Sequence, residues 1–268
     1  MKATGTQSFQ GSRLHMLNLS GAVDFPLQIS RLLQDANIIV QSSDRWQPHG
    51  MAISNEMDLT TFASTYCPQW QQSLQTLRNW WAPYGGQLPL WDLLSTCNID
   101  GTPGMLLVEA KAHERELSIA GKPLPETSAS AGSKENHQSI TNCVTQANCG
   151  LNTIMPGAAL TCESHYQLVN RLAWAWKVAT LGIPVVLLYL GFTGDSYFCD
   201  DYFNTGEYWQ RVMGGYIQGV IPQGVVERQW TIGTDTSFSI RLRTLPVITP
   251  SARDIESSDS KVIMKVSD

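Results

Sequence analysis

The sequence predicts an α/β protein, a central mixed sheet flanked by helices. Three stretches carry that expectation. Met105-Leu106-Leu107-Val108 is apolar at every position, and a strand is apolar on both faces only when both are covered. Ile183–Leu190 is a second apolar run; it contains Pro184 and reads as a buried strand. Between the two, Glu163–Thr180 places Leu168, Leu172, Trp176 and Ala179 at spacings of 4, 4 and 3, one stripe of a helix that Gly182 ends.

The remaining elements follow from the N-terminus. Residues 1–24 carry no regular pattern and are expected to form an irregular arm. Phe25–Ile38 reads as a helix, with Leu27, Ile29, Leu32 and Leu33 loosely periodic. Gln69–Trp81 packs Trp70, Leu74, Leu77 and Trp81 at spacings of 4, 3 and 4, and Pro83 with Gly85-Gly86 closes it. Leu88–Leu94 is a short strand-like run carrying one carboxylate, Asp92. Asn98–Gly104 then separates it from Met105, and its Asp100-Gly101 is a hairpin signal. Leu124–Lys134 is rich in small residues and reads as an exposed linker, with a lid over the preceding strand as the alternative. Ser133 is placed to cap a helix running to about Asn148, with Asn136, Ile140, Val144 and Ala147 along one side. Toward the C-terminus, Glu207–Gln218 reads as a helix. Val225–Ile232 and Phe238–Leu245 alternate like strands around Gly233-Thr234-Asp235, and residues 249–268 read as frayed.

The 268 residues, 43 % hydrophobic, suit one domain with additions. Charged residues make up 15 %, against the usual quarter, and 18 Lys and Arg face 23 Asp and Glu for a net charge of −5. That balance argues against a strong, non-specific DNA binder, which needs a broad basic face. It leaves open an enzyme that reaches phosphate through a metal. No apolar stretch approaches the roughly 18–20 residues of a membrane span, and residues 1–12 lack a signal-peptide core. A cytoplasmic protein with no membrane partner is expected. The six cysteines include no Cys-x-x-Cys pair. Cys143, Cys149, Cys162 and His165 match no familiar zinc module, so reduced, scattered thiols are the better reading.

Chemistry concentrates at Glu109-Ala110-Lys111, the end of the first apolar run. Side chains alternate along a strand, so Glu109 and Lys111 project from one face while Leu106, Val108 and Ala110 fill the other. A carboxylate and an ammonium there carry a desolvation cost and need partners or a purpose. Holding a divalent metal beside a lysine that orients a water is one purpose. The hairpin brings Asp92 toward both. Asp100 competes with it, but a following Gly makes Asp100 a turn residue, whereas Asp92 stands in a strand-like run where Asp is disfavoured. On the Glu163–Thr180 helix, Gln167 and Arg171 lie four apart and face the same way. A guanidinium suits bidentate phosphate binding, which makes both candidates for substrate binding, with an exposed polar stripe as the alternative. His113 follows the motif strand and is a further substrate-binding candidate, with an ordinary surface histidine as its alternative. Glu114 and Glu116 read as helix-start acids.

Asp92, a hairpin and then Glu109-x-Lys111 together resemble the PD-(D/E)XK nuclease superfamily, the restriction-endonuclease-like fold. Pro89-Leu90-Trp91-Asp92 followed by Leu106-Leu107-Val108-Glu109-Ala110-Lys111-Ala112-His113 looks like a bacterial branch of it. Trp91 departs from the pattern by standing where the family has Pro. The resemblance covers roughly residues 68–192. It implies an α-β-β-α-β core there with a helical insertion at about 120–150, an N-terminal arm over 1–67, and a C-terminal helix and strand extension over 193–268. It implies Mg²⁺, or Mn²⁺, held by Asp92 and Glu109 and joined by the carbonyl of Ala110, with Lys111 assisting the attacking water. Some branches place a glutamine on the following helix beside the metal, and Gln167 is the residue so placed here. The implied activity is phosphodiester hydrolysis of nucleic acid, DNA ahead of RNA. A non-catalytic binding protein on the same fold, or a metal-dependent hydrolase of a small substrate, remain the alternatives.

Overall fold

A computed structural model describes residues 9–196 and 200–247. In chain order its elements are α1 (Gly11–Ser20), α2 (Phe25–Leu32), β1 (Ile38–Ile39), β2 (Trp46–Gln47), α3 (Leu59–Tyr66), α4 (Gln71–Trp81), β3 (Leu93–Ile99), β4 (Thr102–Lys111), α5 (Ala131–Asn152), α6 (Tyr166–Thr180), β5 (Val185–Thr193), α7 (Gly206–Ile217), β6 (Gln229–Ile232) and β7 (Thr236–Pro246). Seven strands make one mixed sheet in the order β1-β3-β4-β5-β7-β6, with β2 also paired to β3. The central strands β4, β5 and β7 run parallel, and the outer pairs are antiparallel. The protein is therefore α/β, a mixed sheet flanked by helices.

The two apolar runs become adjacent central strands, and the periodicity of two divides each between two cores. Met105 and Leu107 enter a large cluster with residues of α3 to α7. Leu106, Val108 and Ala110 enter a smaller cluster with residues of α1 and α2. Glu109 and Lys111 follow the parity of Met105 and Leu107, toward α6. The β3–β4 hairpin turns at Asp100 (φ 50°) and Gly101 (φ 85°), both left-handed as a two-residue type I′ turn requires. Its register, Ile99 opposite Thr102 through Leu93 opposite Val108, leaves Asp92 one residue beyond the ladder on the side of Glu109.

Several boundaries correct the sequence expectations. Gly11–Ser20 is a helix, although its N-cap Gln10 makes no side-chain cap and gave no starting signal. The helix from Phe25 stops at Leu32, a 3₁₀ turn follows over Gln34–Ala36, and Asn37 with its left-handed φ of 51° then leads Ile38 into β1 against Ile99. Of the Leu88–Leu94 run, only Leu93 and Leu94 are strand. β3 begins at Leu93, and Trp91 makes only an isolated bridge to Met57. Helix α5 starts at Ala131, earlier than Ser133, because the Oγ of Ser130 accepts the Ser133 amide at 3.2 Å. Helix α6 starts at Tyr166, where left-handed His165 (φ 49°) sets its entry, and the first C-terminal strand is confined to Gln229–Ile232. Residues 249–268 lie outside the described residues. Among those described, no helix is long and apolar enough to cross a membrane, and Cys67, Cys97, Cys143, Cys149 and Cys162 are free.

Candidate active site

Because β4 is a central strand, its polar end is enclosed. Glu109 is 1 % exposed and Lys111 4 %. Each oxygen of Glu109 takes one cation: Lys111 Nζ donates to Oε1 at 2.5 Å, and Arg171 Nε donates to Oε2 at 2.6 Å. Arg171 reaches down from α6, 8 % exposed. Its Nη2 donates to the carbonyl of Leu90 at 2.7 Å, and its guanidinium lies 4.5 Å from the centre of the Trp91 ring. Asp92 sits on the bend between Trp91 and β3, where its Oδ2 accepts the Ala110 amide at 2.7 Å. The backbone of the motif strand thus holds one carboxylate while the motif side chains hold the other. Tyr189 of β5 lies opposite Glu109 in register, and its buried hydroxyl makes no hydrogen bond.

The electrostatics separate the two acids. Burial pushes the Asp92 carboxyl up, the charge of Glu109 adds to the rise, and Lys111 and Arg171 offset only part of it, leaving about 7. Burial also pushes Glu109 up, but Arg171 and then Lys111 outweigh it and hold the group below its ordinary value. Burial pulls Lys111 and Arg171 down, and Glu109 and Asp92 more than restore both cations. Two carboxylates face two cations in a desolvated pocket, where each charge is tolerable only because the others are present.

The other candidates are placed less uniformly. His113 is buried, not a surface histidine, and its Nε2 lies 3.2 Å from Oδ2 of Asp195. His15 of α1 approaches the same oxygen at 2.8 Å. Glu116 is more than a helix-start acid: it accepts from Ser12 Oγ at 2.8 Å and from the amides of Ala112 and His113 at 2.5 and 3.2 Å, which straps α1 to the end of β4. Gln167, one turn before Arg171, is half-buried and hydrogen-bonds to none of these groups. The structure therefore gathers Asp92, Glu109, Lys111 and Arg171 around Ala110. It turns His113 toward Asp195. Sequence reasoning missed His15, Ser12, Glu116 and Asp195, since no local pattern marks contacts made across more than a hundred residues.

Asp92, Glu109 and a backbone carbonyl are an all-oxygen donor set, which suits Mg²⁺. Burial, first, and the charge of Glu109, second, raise the Asp92 carboxyl, and a divalent cation between the two acids would favour its ionised form. Glu109 already has both oxygens engaged, so the set fits the ion on the condition that Arg171 or Lys111 yields one of them. Among the described residues, no group of three or more His, Cys, Asp and Glu side chains is arranged to hold a metal. Comparison of the chain with protein-family models, with curated proteins and with solved structures finds no match.

Proposed function

We propose that the protein hydrolyses phosphodiester bonds of nucleic acid in a metal-dependent reaction, at a PD-(D/E)XK-type site on a restriction-endonuclease-like core. The observation that carries this reading is the pairing of Asp92 and Glu109 beside Lys111. The charge of one carboxylate helps push the other up to about 7, a configuration a divalent cation would stabilise. Asp92 and Glu109 would hold Mg²⁺ or Mn²⁺, with Ala110 contributing its carbonyl. The ion would lower the pKa of a bound water and stabilise charge on the phosphoryl oxygens. Lys111 keeps its proton because Glu109 and Asp92 surround it, so it orients the attacking water by donating a hydrogen bond. Arg171 fixes the rotamer of Glu109, and once displaced from Oε2 it is free to turn to a phosphate.

Labelled DNA and RNA incubated with Mg²⁺ or Mn²⁺ test the proposal, with thermal melting as a second readout. Wild type should cleave, and Lys111→Met should not while still melting higher when metal is added. Glu109→Gln should lose both cleavage and the metal-induced shift. Absence of cleavage together with absence of any metal-induced shift in wild type refutes the reading.

One observation favours a second reading, a binding protein that keeps the fold without the chemistry. Arg171 and Lys111 both pair with Glu109, so both of its oxygens are satisfied without an ion. Strand binding without cleavage in either metal would select it.

A further inference from the structure

Beside the candidate site runs a groove made of two adjoining hollows, of about 410 and 360 Å³. They share Gln87, Lys122 and Ile140 as a common wall. Tyr84, 59 % exposed, and His137 line the first; Tyr166, Asn170 and Leu90 line the second. In a chain of net charge −5, no Asp or Glu lines either hollow. Lys122 stands between them with no ion-pair partner among the described residues. Its Nζ lies 4.8 Å from the centre of the Tyr166 ring. Burial pulls this ammonium down, and no carboxylate counters the pull. The buried Nε2 of His137 and Oδ1 of Asn170 make no hydrogen bond. The second hollow ends at Leu90, whose carbonyl anchors Arg171 on Glu109 at 2.7 Å and whose chain leads two residues on to Asp92.

We infer that this groove binds a single strand of nucleic acid running to the candidate site, with a phosphate on Lys122 and a base against Tyr84. An unpaired, half-buried cation without acidic neighbours selects an anion. Lys122 lies over the Tyr166 ring, and the exposed Tyr84 ring in the same groove suits a planar group; a cation and an aromatic ring along one groove are the means by which proteins hold single strands without reading sequence. Each hollow is at the small end of ligand-pocket volumes, about one nucleotide apiece. The inference rests on the proposed reading for its destination, the Asp92 and Glu109 site. The strand contact itself can be measured apart from chemistry.

The test is fluorescence anisotropy of the full chain in EDTA at low salt, with 5′-labelled oligothymidylate and oligouridylate of about twelve nucleotides, within the range one such surface covers. Wild type should bind at least one of them more tightly than a duplex of equal length. Tyr84→Ala, at an exposed position that costs no core packing, should weaken binding roughly fivefold or more, since stacking on one base is worth at least that. Lys122→Gln should weaken binding and flatten its salt dependence by about one phosphate contact. No binding by wild type, binding that favours the duplex, or variants within about twofold of wild type would overturn the inference. Groove-dependent binding with no cleavage in Mg²⁺ or Mn²⁺ supports the inference and sinks the hydrolase reading. Cleavage by wild type that both variants retain, with unchanged strand binding, removes the groove and leaves the hydrolase reading standing.

Discussion

Replacing Asp92 by Asn should stabilise the metal-free protein at alkaline pH, although it removes a candidate ligand. The folded carboxyl sits at about 7 against an ordinary value of 3.8, a rise of about three units, each worth about 1.4 kcal/mol. The sign follows from proton binding. In the unfolded chain Asp92 ionises near its ordinary value, and in the folded protein only near 7, so between the two the folded state holds the extra proton. The contribution of this group is therefore fully present below about pH 4 and is lost as pH rises through 7. Taken whole, the shift corresponds to about 4 kcal/mol at pH 8. Asp92 is only partly buried, and solvent screening brings the expected gain to about 2 kcal/mol. Asn retains an oxygen for the Ala110 amide, so the hydrogen bond survives. Thermal melts in EDTA measure the difference. At pH 8 the variant should melt roughly 4–6 °C above wild type, on the scale of about 2–3 °C per kcal/mol for a chain of this size. At pH 5 most of the gap should close. A variant that melts below wild type at pH 8, or that differs by the same margin at both pH values, refutes the picture of an Asp92 carboxyl raised by burial and by Glu109.

Two further outcomes follow from the same geometry. Glu109→Gln leaves Lys111 and Arg171 buried with Asp92 as their remaining charged partner, and should cost about 3–5 kcal/mol in urea unfolding; a loss under about 1 kcal/mol would mean that the pocket is wetter than the structure shows. Gly191→Ala, on β5 opposite Lys111, would place a Cβ 2.5 Å from Cδ2 of Trp209 and should cost about 1–3 kcal/mol by the same assay, and an unchanged midpoint would show that α7 moves away freely.

What the sequence shows plainly is what local physics decides. Met105–Val108 and Ile183–Leu190 announce central strands because an unbroken apolar run has no solvated face. Asp100-Gly101 announces its turn because both residues accept positive φ. The alternation of a strand puts Glu109 and Lys111 on one face without any knowledge of the rest of the chain. Helical spacing likewise tells which way Arg171 faces along with Gln167, but not that Arg171 meets a buried carboxylate, which depends on how α6 crosses the sheet. The same limit hides α1. Its first turn has no capping side chain, and its attachment to β4 runs through a hydrogen bond from Ser12 to Glu116, 104 residues away. Strands β1 and β2, two residues each, exist because β3 offers them an edge.

The charge count at the site links its stability to its use. With Asp92 ionised, the charges of Asp92 and Glu109 balance those of Lys111 and Arg171; below about pH 7 Asp92 holds a proton and the pocket carries one net positive charge. A divalent cation that displaces Arg171 from Glu109 would leave a guanidinium without its carboxylate in a place where uncompensated charge is costly. Each phosphodiester brings one negative charge, and a single strand presents several in succession. Under the hydrolase reading, ion and strand therefore favour one another's entry, and Arg171 is the group positioned to exchange Glu109 for phosphate as they arrive. The same four groups give the binding protein of the second reading a rigid floor. What separates the two readings is whether Glu109 releases a cation, a property of the Arg171 contact at 2.6 Å rather than of the fold around it.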